Sequence, residues 1–163
     1  MERALEDAVV DAWRICDRVT RFLIENLPEP VWTAGVPGAP RRTVRMLCGH
    51  LHNARRMWIV NVGRAGRIAP PRGVDRRIVG RSTLLAALKR SAAVMERVLR
   101  HACARGGRVS GFPGGVVRFT AYFVAHEAHH RGQIVMIARQ LGHRLPVEVA
   151  AGLWFWSKRA KEA

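Results

Sequence analysis

Lysine is almost missing from this chain. It occurs only at Lys89, Lys158 and Lys161, although basic residues number 28 in all. Acids are scarce too, at 12, and the formal net charge is +16. Cysteine appears three times, at Cys16, Cys48 and Cys103, widely spaced and without a CxxC pair. An odd, scattered set argues against a disulfide framework and fits reduced thiols. No stretch approaches the ~18 apolar residues of a membrane helix. The opening residues, MERALEDAVVDAW, carry acids where a secretory signal needs bases and an apolar run. The expectation is a soluble, cytoplasmic protein with no membrane contact. No alternating polar–apolar strand is visible, and neither is a DNA-binding motif or an aromatic-studded basic strand.

Arginine supplies nearly all the positive charge and is spread over every segment. That pattern fits a compositional preference for arginine better than a nucleic-acid surface. It still favours an anionic small-molecule substrate over a cationic one. A length of 163 residues points to a single domain, residues 1–163, able to bury a core without disulfides.

Four segments have helical periodicity: residues 2–26, 42–64, 82–103 and 116–141. Pro28, Pro30, Pro37 and Pro40 forbid a helix after the first. Ser82 or Thr83 is a plausible N-cap for the third, and Gly142 a plausible C-cap for the fourth. A shorter apolar helix follows Pro146 and carries Trp154, Phe155 and Trp156, expected to pack across the bundle's end or into a dimer. The class is all-α, a four-helix bundle with a short extra C-terminal helix. The second loop, about 16 residues, can extend roughly 50 Å. A helix of about 22 residues is only about 33 Å long. The loop can therefore cross the whole bundle, which gives an up-down-down-up order.

The sequence HEAHHRGQI, from His126 to Ile134, concentrates the chemistry. In the fourth segment the apolar stripe runs Phe119, Phe123, His126, His130, Gln133 or Ile134, Ile137, Leu141, and two histidines one turn apart replace apolar residues in it. His129 lies about 100° around the helix from His130 and is peripheral. In the second segment the stripe through Leu47, Leu51, Ala54 and Trp58 selects His50, while His52 falls on the side of Arg45, Arg55 and Arg56. Three inward imidazoles on facing helices need three separate hydrogen-bond partners or one shared cation. Three histidines with an open fourth position suit catalytic zinc, and nickel accepts the same ligands.

HEAHHRGQI followed by Leu141-Gly142, together with GHLHNARRMW and the terminal LPVEVAAGLWFW, resembles the DinB/YfiT-like family of metalloenzymes. The resemblance implies an up-down-down-up four-helix bundle, frequent homodimers and a divalent metal on His50, His126 and His130. Relatives that use low-molecular-weight thiols act as thiol-dependent S-transferases or isomerases.

His126-Glu127-Ala128-His129-His130 also matches HExxH. A zincin needs that glutamate as general base and a third ligand downstream. Glu148 could be that ligand, but Glu127 falls off the stripe and no strand is available to align a peptide. Glu127 supports the metal only if the helix is rotated from this phase. Gln133 can orient a ligand or pack in the core, and Arg131 faces solvent or a dimer contact. Cys48 and His52 form a rival i, i+4 pair without a third ligand. The functional expectation is a metal-dependent enzyme, an S-transferase or a hydrolase, on a small anionic or thiol-bearing substrate. Its counterpart is a non-catalytic ligand- or partner-binding bundle with a structural or vestigial metal site.

Overall fold

The computed structural model describes residues 2–162. Four long helices dominate it: α1 (Glu2–Glu25), α3 (Val44–Val62), α4 (Arg81–Cys103) and α5 (Gly115–Gln140). Short helices α2 (Glu29–Trp32), α6 (Val147–Gly152) and α7 (Trp156–Ala160) and a hairpin of β1 (Gly35–Val36) and β2 (Ala39–Thr43) complete the described residues, with a 3-10 turn at Gly63–Gly66. No described helix is long and apolar enough to cross a membrane.

The linker after α1 departs from the sequence reading twice. Pro28 and Pro30 do not prevent a helix but start one. Pro28 is the N-cap of α2 and Pro30 stands in its first turn, where a missing N–H costs nothing. Beyond it the chain forms an antiparallel hairpin turning at Gly38, whose φ of +75° suits glycine. Five residues with three of them exposed do not leave an alternating signal.

Helix starts are also adjusted. Residues 42 and 43 belong to β2, and Thr43 caps α3 by accepting a hydrogen bond from the Met46 amide at 3.3 Å. Helix α4 starts at Arg81 with Gly80 as an N-cap that offers no side chain, so neither Ser82 nor Thr83 caps it. Gly142 does end α5: it has φ +81°, and the Gly142 and His143 amides bond to Arg139 and Ala138 carbonyls.

The interior is two apolar clusters. One holds Leu23, Leu27, Leu47, Leu51, Leu84, Leu88, Ile134 and Ile137. The other holds Val9, Trp13, Ile59, Val62, Met95, Leu99, Phe119 and Phe123. Between them lies a band of buried polar side chains to which each long helix contributes: Asp17 and Thr20, His52 and Arg55, Ser91, and Glu127 with Arg131. Further pairs tie α1 to α4, including Glu6 with Arg100 at 2.7 Å and the Trp13 indole donating to the Ala92 carbonyl at 3.1 Å.

The long second loop is held along α3. Asn53 exchanges two hydrogen bonds with the Val74 backbone, and Val79 is buried in the first cluster. At the C-terminus the structure differs from the expected single helix, and of the two placements expected for its aromatics the one over the bundle's end is not found. Two short helices replace one, and Trp154, Phe155 and Trp156 are 80%, 54% and 40% exposed.

All three cysteines are free. Burial, the main cause, pushes the Cys16 and Cys48 thiols up to about 12. In the native protein at neutral pH, a thiol reagent followed by peptide mass spectrometry is expected to label half-buried Cys103, while Cys16 and Cys48 react only in denaturant. Rapid native labelling of Cys48 would contradict the packing of α3.

Candidate metal centre

His126 and His130 lie one turn apart on α5, and His50 faces them from α3. The ring centroids are 4.6 Å (His126 to His130), 4.8 Å (His50 to His130) and 5.5 Å (His50 to His126) apart. One donor nitrogen from each lies within 4.8 Å of the other two, in the one such cluster found among the described residues. Ligands about 2.1 Å from a tetrahedral ion stand roughly 3.4 Å apart, so small ring rotations suffice to close on a cation. The three are half-buried rather than fully inward.

The donor set also has the protonation state that ligation requires. Burial first, then the neighbouring His130 and His126, push the His50 imidazole down to about 4. Burial likewise lowers His126 and His130. All three are neutral bases at physiological pH, the form in which histidine binds a metal. His130 Nδ1 is 2.8 Å from Gln133 Oε1. The amide oxygen accepts the Nδ1 proton and leaves Nε2 for a ligand. Exposed Gln133 is thus beside the ring and not in the core.

Four expectations are corrected here. Glu127 is not off the buried face: it is 1% exposed and forms a bidentate pair with Arg55, Oε1 to Nε at 2.6 Å and Oε2 to Nη2 at 2.8 Å. Arg131 does not face solvent; its Nη1 donates to Thr20 Oγ1 at 2.8 Å, and that hydroxyl donates to Glu127. Arg55, assigned to an outer face, is fully buried, and its Nη1 also donates to Asp17 at 2.7 Å. His52 is fully buried as well: Nε2 donates to the Arg72 carbonyl at 2.8 Å and Nδ1 is 3.2 Å from Ser91 Oγ.

Both ring nitrogens of His52 are therefore engaged, and its pairing with Cys48 forms no metal cluster among the described residues. His129 is exposed, as its place on the helix implies. Glu148 is exposed on α6 and is not part of the cluster. The residues missed were Asp17, Thr20, His52 and Arg55. For Arg55 the signal is the four-residue step Leu51-Arg55-Ile59 on α3, and it matches the step Phe123-Glu127-Arg131 on α5: a charge on such a step faces inward when an opposite charge meets it.

Burial pushes the Glu127 carboxyl up, but the Arg55 charge and hydrogen bonds outweigh it and hold the group below the usual carboxylate range. It is an ionised structural partner of Arg55, buried against that guanidinium and held away from the proton-accepting role of a base. The HExxH match thus has the letters of a zincin without its general base.

A cavity of about 500 Å³ opens beside His130, between the hairpin, the start of α3 and α5. Another of about 520 Å³ lies at the far end of the bundle, around Arg105, Arg108 and Phe112, away from the histidines. The first is the one with chemistry at its wall.

Fold and site together define a helical bundle with a three-histidine cluster shared by two of its long helices. The model of the DinB family matches residues 117–155, and the match supports a DinB-like family assignment. That span contains His126 and His130 and leaves His50 outside. The DinB family is in general a metal-binding family, and the histidine cluster is compatible with that. Comparison with curated proteins and with solved structures gives no match.

Replacing Arg55 with alanine takes the bidentate partner from buried Glu127, which keeps only Thr20 and the more distant Arg131, and leaves Asp17 with Arg21 alone. Urea unfolding is expected to show a loss of about 3–5 kcal/mol. A loss below about 1 kcal/mol, the value of an exposed pair, would mean that the buried charges do not hold the helices together.

Proposed function

We propose that His50, His126 and His130 together hold one divalent ion, zinc or nickel, and that the chain is a metal-dependent enzyme acting on a small molecule. The observation that carries this is the convergence of three neutral imidazole nitrogens within 4.8 Å on two different helices. The cavity of about 500 Å³ that reaches His130 supports a fourth position open to a small molecule. When bound, such an ion supplies Lewis acidity to an oxygen or sulfur group of the reactants. The chain's own contribution is to present the three nitrogens, to fix the His130 ring through Gln133, and to shape the cavity.

A thiol-dependent S-transferase fits this site better than a hydrolase. Hydrolysis of the zincin type needs a carboxylate base beside the ion, and Glu127 is committed to Arg55. A low-molecular-weight thiol brings its own nucleophile, and a bound ion would favour its thiolate form and release the thiol proton to solvent without a carboxylate base. The protein's thiols do not serve: Cys16 and Cys48 are buried with raised pKa, and burial raises Cys103 too.

The same reading includes a single domain, 1–163, of up-down-down-up order. Its support is the sequence in which each helix passes the two apolar clusters. Helices α1 and α5 meet the Trp13–Phe123 cluster first, whereas α3 and α4 meet the Leu51–Leu88 cluster first. It also includes a homodimer, for which the exposed Trp154, Phe155 and Trp156 are the supporting surface. A cytoplasmic location rests on the three free thiols.

Metal content measured by mass spectrometry on tag-free protein tests the reading. About one ion per chain is expected in the wild type and loss of it in His50→Ala, His126→Ala and His130→Ala. Exposed His129→Ala is the control that keeps it; His52 is unsuitable because its ring is a buried structural group. No uptake by the wild type after incubation with zinc and with nickel would sink the proposal. Gln133→Ala should retain the ion but weaken its affinity about 10–100-fold, read by competition with a chelator.

A further inference from the structure

The cavity beside His130 has a division of chemistry that its histidines do not explain. Its walls are apolar on three sides: Val36 and Ala39 from the hairpin, Leu47 from α3, Met136 and Ile137 from α5. Met136 is 55% exposed, a flexible thioether chain left uncovered along the opening. No aspartate or glutamate lines the space, and the single fully charged side chain there is Arg42 on β2. Among the described ion pairs Arg42 has no carboxylate partner, whereas Arg14, Arg21, Arg55, Arg81, Arg100, Arg131 and Arg159 each have one.

We propose that this cavity binds a small monocarboxylate with an apolar body, and that Arg42 is the specificity-determining residue that grips the carboxylate. An unpaired guanidinium at the edge of an apolar cavity matches one planar carboxylate by two parallel N–H···O bonds. A phosphate dianion would call for a second cation or a run of free amides, and the lining supplies neither. The apolar body lies along Leu47, Met136 and Ile137, and the rest of the molecule reaches the rim of His130. A volume of about 500 Å³ is in the range of small-ligand sites. Arg42 and His130 line the same cavity, which places the guanidinium and one imidazole of the cluster on one space. The assignment deepens the metalloenzyme reading and rests on it for the reacting end of the ligand, but the grip of Arg42 on the carboxylate does not require the ion.

That independence separates the two in one experiment. Octanoate, octan-1-ol and octylamine are titrated by calorimetry into chelator-treated wild type and Arg42→Gln, where no ion can hold the carboxylate. Arg42 is exposed on the hairpin, so the variant is expected to keep the wild-type circular dichroism and melting temperature. Octanoate should bind the wild type about 10–100-fold more tightly than octan-1-ol. In Arg42→Gln that advantage should vanish while octan-1-ol affinity stays the same; octylamine should bind neither protein measurably. Equal affinities for octanoate and the alcohol in the wild type, or an octanoate advantage that survives in Arg42→Gln, would overturn the assignment. A zinc titration of the same samples reads the metal site separately. Octanoate selectivity that depends on Arg42 in a protein that takes up no zinc would support the carboxylate site and remove only the metal reading.

Discussion

The Arg55–Glu127 pair is the interaction on which the rest of the bundle depends. A guanidinium and a carboxylate are both taken out of water, and each is tolerable only because the other is there. Asp17 takes a third Arg55 proton, and Thr20 bridges Glu127 to Arg131. The group brings two arginines and two acids, so it neutralises itself between two apolar clusters. It joins α1, α3 and α5, with the Leu88 carbonyl of α4 as a further acceptor. Charge satisfaction at this one level fixes how each helix is turned about its own axis.

The histidines inherit their positions from that constraint. In His126-Glu127 and His130-Arg131 each histidine precedes a buried charged residue. Successive residues on a helix differ by about 100°, so pinning Glu127 and Arg131 to the centre puts both imidazoles on the neighbouring flank. That flank faces α3 and the cavity. Arg55 does the corresponding service on α3: anchoring it sets the turn on which His50 faces His126 and His130. A fully inward placement would have surrounded the rings with leucines and closed them to ligands. The rim placement leaves them half-buried, neutral and reachable.

Much of this was legible in the sequence. Four long amphipathic segments point to the helical class, and the spacing of His126 and His130 with the stripe through Leu47 and Leu51 selects the three histidines that the structure brings together. The buried face of α5 lies about one residue from the hydropathy stripe, on Glu127 and Arg131 rather than His126 and His130. After Phe123 the stripe can continue by three residues to His126 or by four to Glu127, and hydropathy prefers the histidine. The preference fails because a carboxylate facing an arginine is not a lone charge, and the arginine belongs to another helix 72 residues away. His52 was misjudged for a similar reason, since its partners Arg72 and Ser91 come from a loop and from α4. The hairpin left no trace because short exposed strands obey local turn geometry and not a buried pattern.

The polar band also restricts how the molecule can move. Helices packed through leucines alone can slide past one another at modest cost, because one apolar neighbour resembles the next. Here a slide of α5 by one turn, about 5.4 Å, would carry Glu127 away from Arg55 and into contact with aliphatic side chains. Two bare charges in the interior would oppose it. The four helices therefore behave as a fixed frame around the histidines. Accommodation of a ligand falls to the parts outside the frame: the hairpin with Arg42, which turns at Gly38, and the uncovered chain of Met136.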